Sequence, residues 1–308
     1  MPLPAPPQIP LDAPLDRRRF LGATALCAAA AFLPARLRAA PAPTPALRVG
    51  LLLPPTPGAV HDALRRGAEL GAAEAERGAQ LLGGSFTLLS ANDGEHVAAA
   101  ARRLVRDAGA IALVGGGDEA GGLALATLAP ELGVPALNVA ATADALRGAA
   151  CATLLFHVAA SDAMRRDALA GHPGARRALL WHPALERYGA AQLNDRFRAR
   201  FDAPMDGAAW AAWFALKALW EGAARAHEAT PRALAAALAA GRFDGHKGAP
   251  LSFRAWDRQL RQPLYLVGAD ARTVLAEVPA ARHDEDATVA LDRLGATARD
   301  GACHAGAP

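Results

Sequence analysis

Cysteine is scarce in this chain, three in 308 residues. Cys27, Cys151 and Cys303 lie far apart, and isolated cysteines do not make a metal site. The histidines lack ligand spacing as well: His61, His157 and His182 belong to no HExxH pattern. A Gly-x-Ser-x-Gly elbow is missing. No grouping of nucleophile, base and oxyanion donors is visible, so the expectation is a non-enzyme without a cofactor. Long apolar runs are also missing. Hydrophobic residues reach 52%, but much of that is alanine. Beyond the N-terminus no segment stays apolar for the roughly 20 residues that a membrane span needs. Internal repeats are absent.

Excess charge is missing from most of the chain. The formal net charge is +3. Residues 1–40 hold five arginines (17, 18, 19, 36 and 38) against Asp12 and Asp16, which is already +3. Taking those five from 33 basic and two from 30 acidic residues leaves 28 of each. The basicity is confined to the N-terminus, and the case for a nucleic-acid partner goes with it.

That N-terminus has a pattern of its own. Asp16-Arg17-Arg18-Arg19-Phe20-Leu21-Gly22 precedes an apolar run from Ala23 to Leu33. Paired arginines, Phe-Leu and a short hydrophobic segment read as a twin-arginine export signal. Small residues around Ala40-Pro41-Ala42 suit cleavage. The pattern predicts a protein that folds before crossing the membrane and works in the periplasm. A disordered Arg-containing N-terminus is the other reading. Lipoprotein processing at Cys27 is disfavoured by Leu26. In an oxidising compartment Cys151 and Cys303 are free to pair, although the region of Cys303 reads as a mobile end.

Strand and helix patterns alternate from residue 47 onward. Leu47–Leu53, Ser85–Ser90, Ala110–Val114 and Val134–Val139 read as strands. Val60–Arg77, Val97–Ala108 and Glu119–Leu132 read as helices, with Asn92-Asp93-Gly94 as a turn and cap. This alternation specifies a parallel sheet wrapped by helices, because each crossover needs a returning helix. Further on, 164–170 reads as a helix and 178–181 as a strand. Longer helices follow over 184–201, 205–227 and 231–241, then strands at 251–253 and 263–267. Trp210, Trp213 and Trp220 share one helix face and suit core or interface packing. Arg254 to Arg261 reads equally as a solvated hairpin or as an interface.

Several of these blocks resemble a known family. Val114-Gly115-Gly116-Gly117, then Ala129-Pro130-Glu131-Leu132-Gly133-Val134-Pro135-Ala136-Leu137-Asn138, then Ala140 to Leu146 are similar to the first lobe of type I periplasmic binding proteins. Those proteins are the substrate-binding subunits of branched-chain amino-acid ABC transporters. Phe156-His157-Val158 matches the strand leading to the second lobe. Tyr188 to Phe197, Met205 to Trp213, Phe243 to Gly248 and Leu251 to Pro263 resemble one branch of that family, associated with PQQ-dependent alcohol oxidation. The resemblance implies an α/β fold with a Rossmann-like parallel sheet flanked by helices. It also implies a truncated second lobe, since only Ala159 to His182 separates the two matching parts. The expected division is a signal and linker over 1–42, first-lobe residues 43–158, a second-lobe remnant over 159–182, first-lobe residues 183–280 and a flexible tail over 281–308.

The resemblance also marks candidate ligand contacts: Gly116, Gly117, Asp118, Glu119, Ala141 and Thr142. Backbone N–H groups opening a helix suit an anion. Asp118 and Glu119 stand where the family carries small hydroxyl residues, and they repel a carboxylate. They favour a neutral, cationic or metal-bearing ligand, or else they simply cap the helix. Gly115-x-Gly117-x-x-Ala120 is a poor dinucleotide fingerprint, because it follows the third strand rather than the first. The implied partners are a small molecule and either a transporter permease or a periplasmic dehydrogenase. A second expectation is an accessory interaction module that has lost ligand binding.

Overall fold

The computed structural model describes residues 46–91, 94–280, 286–296 and 303. Its centre is five strands: β1 (Ala46–Leu51), β2 (Ser85–Ser90), β3 (Ala112–Gly115), β4 (Ala136–Asn138) and β5 (Leu155–His157). They pair in parallel in the order β2-β1-β3-β4-β5. Every residue of β3, β4 and β5 is buried, as in strands covered on both faces. The crossover helices are α1 (Ala59–Leu81), α2 (Val97–Arg106) and α3 (Glu119–Leu132). Between β4 and β5 there is only a 3-10 turn at Asp144–Arg147.

Alternation along each strand divides the core. Val114, Leu137 and Phe156 belong to the same core as α1, while Leu113, Ala136 and Leu155 belong to a second one with Leu104 of α2 and Leu125 of α3. His96 caps α2. Asn92 and Asp93, expected at that turn, lie outside the described residues.

The second half supplies α4 (Asp162–Leu169), β6 (Arg177–Leu179), α5 (Ala190–Phe201), α6 (Gly207–Ala226) and α7 (Pro231–Ala240). Short strands follow: β7 (Phe243–Asp244), β8 (Pro250–Phe253), β9 (Leu260–Arg261), β10 (Leu264–Val267) and β11 (Val274–Val278), then α8 (Ala287–Leu291). They build two three-stranded antiparallel sheets, β11-β10-β6 and β7-β8-β9. Among the described residues there is no second parallel sheet. Met164 of α4 and Ala178 of β6 belong to the same hydrophobic core as β1 and α6.

Helix α6 is apolar on nearly all sides and lies against α1. The two approach at Gly67, where a Cβ would stand 2.0 Å from the Ala209 carbonyl oxygen. Trp210 and Trp213 are fully buried, which answers the expectation for that face with core packing.

Three expectations need correction. Helix α5 starts at Ala190 rather than 184, because Tyr188 and Gly189 have φ of 57° and 85°, which no α-helix accommodates. The Arg254 run is neither a solvated hairpin nor an exposed surface. Arg254, Asp257, Arg258 and Gln259 are buried, and Arg258 accepts a backbone bond from His157 at the edge of β5 (2.9 Å). Residues 286–296 are not loose: Arg254 donates to the carbonyls of Leu291 (3.1 Å) and Leu294 (2.6 Å). Asp292 pairs with Arg261 at 2.7 Å, and Cys303 is disulfide-bonded to Cys151. The expected signal over 1–42 lies outside the described residues. Among the described helices none is long and apolar enough to cross a membrane.

Candidate functional site

In an open parallel sheet the strand order places the ligand crevice at the carboxyl ends, where the winding reverses. Here that point lies between β1 and β3. The chain leaves β3 through Gly116, whose φ of 78° favours glycine. Glycine is also required by space, since a Cβ there would meet the Asn138 side-chain oxygen at 2.5 Å. Gly117 packs on the loop after β1: its Cβ would fall 2.2 Å from Pro54 Cγ.

The two predicted loops are joined directly. Ala141 donates its N–H to the Gly116 carbonyl at 2.7 Å and to Asn138 Oδ1 at 3.0 Å. Gly122 in the first turn of α3 closes on the Ala141 methyl, where a Cβ would approach to 2.7 Å. Thr142 follows, half-buried, and its carbonyl accepts from Asp162 N–H at 2.9 Å. Gly116, Gly117, Ala141 and Thr142 therefore share one rim. Asp118 and Glu119 lie at its exposed side. Asp118 is the N-cap of α3, accepting from Gly121 N–H at 2.7 Å. Its carboxylate thus already occupies one of the donors available to an anion.

A buried polar layer holds this rim in place. Arg147 donates Nε to Gln259 Oε1 (2.9 Å), Nη1 to the carbonyls of Ala141 and Ala143 (both 3.2 Å) and Nη2 to that of Ala159 (2.6 Å). Burial pushes its guanidinium pKa down to about 10, which still leaves a cation at neutral pH. Asn138 Nδ2 donates to the Ala141 carbonyl (2.8 Å) and lies 3.1 Å from His157 Nδ1. His157 is fully buried, and burial, helped by the nearby Arg147 charge, drives its pKa well below the usual imidazole range. Gln259 Nε2 donates to the carbonyls of His157 (3.1 Å) and Ala159 (3.0 Å).

Sequence reasoning missed these four residues. Asn138 was legible only as a strand end. Arg147 and Gln259 are 112 residues apart, and no local pattern links them. The rim offers backbone groups, one hydroxyl and two carboxylates. Among the described residues no cluster of His, Cys, Asp and Glu is arranged to hold a metal. Chemically the arrangement suits binding rather than bond making.

A family model described as periplasmic binding protein matches residues 46–180 and 167–273. The chain belongs to the periplasmic binding protein family. Members of this family bind solutes and are not enzymes. Solved structures share the fold. A periplasmic binding protein from Burkholderia mallei superposes with a TM-score of 0.70 at 12% identity, over 84% of this chain and 98% of that one. The branched-chain amino acid transporter substrate-binding protein LivJ from Streptococcus pneumoniae, solved with isoleucine, gives 0.63 at 14% identity, over 76% and 99%. An R. palustris ABC transporter solute-binding protein, solved with benzoate, gives 0.62 at 18% identity, over 78% and 98%. No curated protein matches this chain in sequence.

Proposed function

We propose that this periplasmic binding protein is the substrate-binding component of an ABC transporter, exported by its twin-arginine signal and serving PQQ-dependent alcohol oxidation. Its small-molecule contacts are Gly116, Gly117, Asp118, Glu119, Ala141 and Thr142. The bond from Ala141 N–H to the Gly116 carbonyl carries this reading, because it draws both family loops to one carboxyl edge. Acidic Asp118 and Glu119 favour a neutral, cationic or metal-bearing ligand over a simple carboxylate. The alcohol-oxidation link rests on the resemblance of the blocks from Tyr188 to Pro263. A reduced second lobe is part of the proposal: residues 159–182 supply one helix and one strand, too few for an independent sheet.

Thermal-shift assays against amino acids, short alcohols, their acids, PQQ and metal ions test the proposal. A ligand at 100 times its Kd should add about 2.7 kcal/mol to stability. A flat response across the panel counts against binding.

The second reading is an accessory module that docks on a periplasmic dehydrogenase or transporter. The capping role of Asp118, which takes up a helix N–H otherwise open to a ligand, favours it. Cross-linking in the periplasm separates the two: a stable protein partner together with a flat thermal-shift panel supports the accessory role.

A further inference from the structure

The carboxyl rim does not account for a groove elsewhere on the molecule. Strand β11 is the outer strand of its sheet and pairs only with β10. No other described residue makes a hydrogen bond to it. In an antiparallel pair every second residue of an edge strand turns its N–H and C=O away from its neighbour. Beside this strand lies a cleft of about 470 Å³. One wall is β11 itself, from Val274 to Glu277, and the other is the segment Leu185 to Tyr188. Four consecutive residues of β11 line it, together with Tyr265 of β10, the cross-strand partner of Glu277.

The opposite wall is pre-shaped. Tyr188 is 59% exposed and has a φ of 57°, a strained value for a residue with a side chain. Its ring lies against Gly248, where a Cβ would come within 2.3 Å of the ring. An exposed tyrosine fixed in this way costs little further ordering when a partner arrives. Leu275 on the strand is 55% exposed and faces the same cleft.

Charge indicates what fits. Glu186 and Glu277 line the groove, and neither has an ion-pair partner within 4 Å among the described residues. Arg187 is the cation lining it. Lys247 is buried, with its ammonium held by Gln262 (2.9 Å), by the Pro263 carbonyl (3.3 Å) and over the Trp210 ring (3.8 Å). Burial raises the pKa of Glu277 despite the pull of Lys247 and Arg187, as expected for a carboxylate short of compensation. His246, also on the lining, is kept below the usual imidazole range by burial.

We infer that the groove between β11 and Tyr188 docks an extended, basic segment of a partner polypeptide, which adds as a further strand to the β11 edge. The added strand satisfies the open backbone groups. Its basic side chains meet Glu186 and Glu277, and an apolar one covers Leu275.

Random peptides displayed against the full chain, followed by amide mapping with a selected synthetic peptide, test the inference. Selected peptides should carry Lys or Arg at alternate positions and shift the amides of residues 274–278. The double variant Glu186→Gln, Glu277→Gln should bind about tenfold more weakly, with its melting temperature unchanged. Failure to select any peptide, shifts confined to other residues, or undiminished binding by the double variant each overturn the inference. So does concentration-dependent self-association that shifts the same amides, because the occupant is then a second copy.

Discussion

Arg147 is the side chain on which the rim depends most. Its guanidinium meets four oxygens and no carboxylate: two are carbonyls of the Ala141–Ala143 loop, one is the Ala159 carbonyl after β5 and one is Gln259 Oε1. Arg147→Met keeps much of the volume but leaves the buried Gln259 Oε1 without its donor, while the Ala141, Ala143 and Ala159 carbonyls each keep another. One such group costs about 1–3 kcal/mol, so urea unfolding should show a loss of about that size. A change within experimental error would mean that water replaces the guanidinium. His157 makes stability depend on pH. Folded, it resists protonation; unfolded, it takes a proton near pH 6.5. The unfolded chain therefore binds the extra proton as pH falls below about 6.5, and stability drops by up to about 1.4 kcal/mol per pH unit. Above that pH the contribution is complete. Comparing wild type with His157→Asn between pH 7.5 and pH 5.5, above the carboxylate range, checks this: the variant should have the shallower slope. At this scale the glycines and the Ala-Thr loop were legible in the sequence, because tight turns restrict residue choice. The layer of Asn138, Arg147, His157 and Gln259 was not, because its partners meet only after folding.

Among the elements, the contact of α1 with α6 is the most sensitive to a single atom. Gly67 lies on the backbone of Ala209, and backbone cannot give way as a flexible side chain can. Gly67→Ala should cost about 3 kcal/mol in chemical denaturation. Gly58→Ala is the control: no atom lies within 4 Å of its added Cβ, and the effect should be small. Most long helices could be read from periodicity, and α3 lies over Glu119–Leu132, as its pattern predicts. Its end at Gly133, with φ of 66°, follows the usual preference for glycine there. Of the small strands, β6, β8 and β10 match the patterns at 178–181, 251–253 and 263–267, but β7, β9 and β11 could not be read. β7 and β9 have two residues each, too few for any alternation. β11 has five residues but carries Glu277 and half-exposed positions, as an open edge does.

For the whole molecule, the parallel sheet was legible, because alternating strands and helices leave few topologies. The attachment of the C-terminal part was not. It depends on Arg254 reaching the Leu291 and Leu294 carbonyls and on a disulfide closing 152 residues, worth about 5 kcal/mol in the chain-entropy view. Family membership and fold make binding the expected activity, and the proposed place for it is the rim at the carboxyl edge. The most direct test is backbone amide mapping with whichever compound stabilises the protein in the thermal-shift panel. Shifts concentrated at residues 116–119 and 141–142 are the expected result. Shifts that leave both loops unmoved would contradict it.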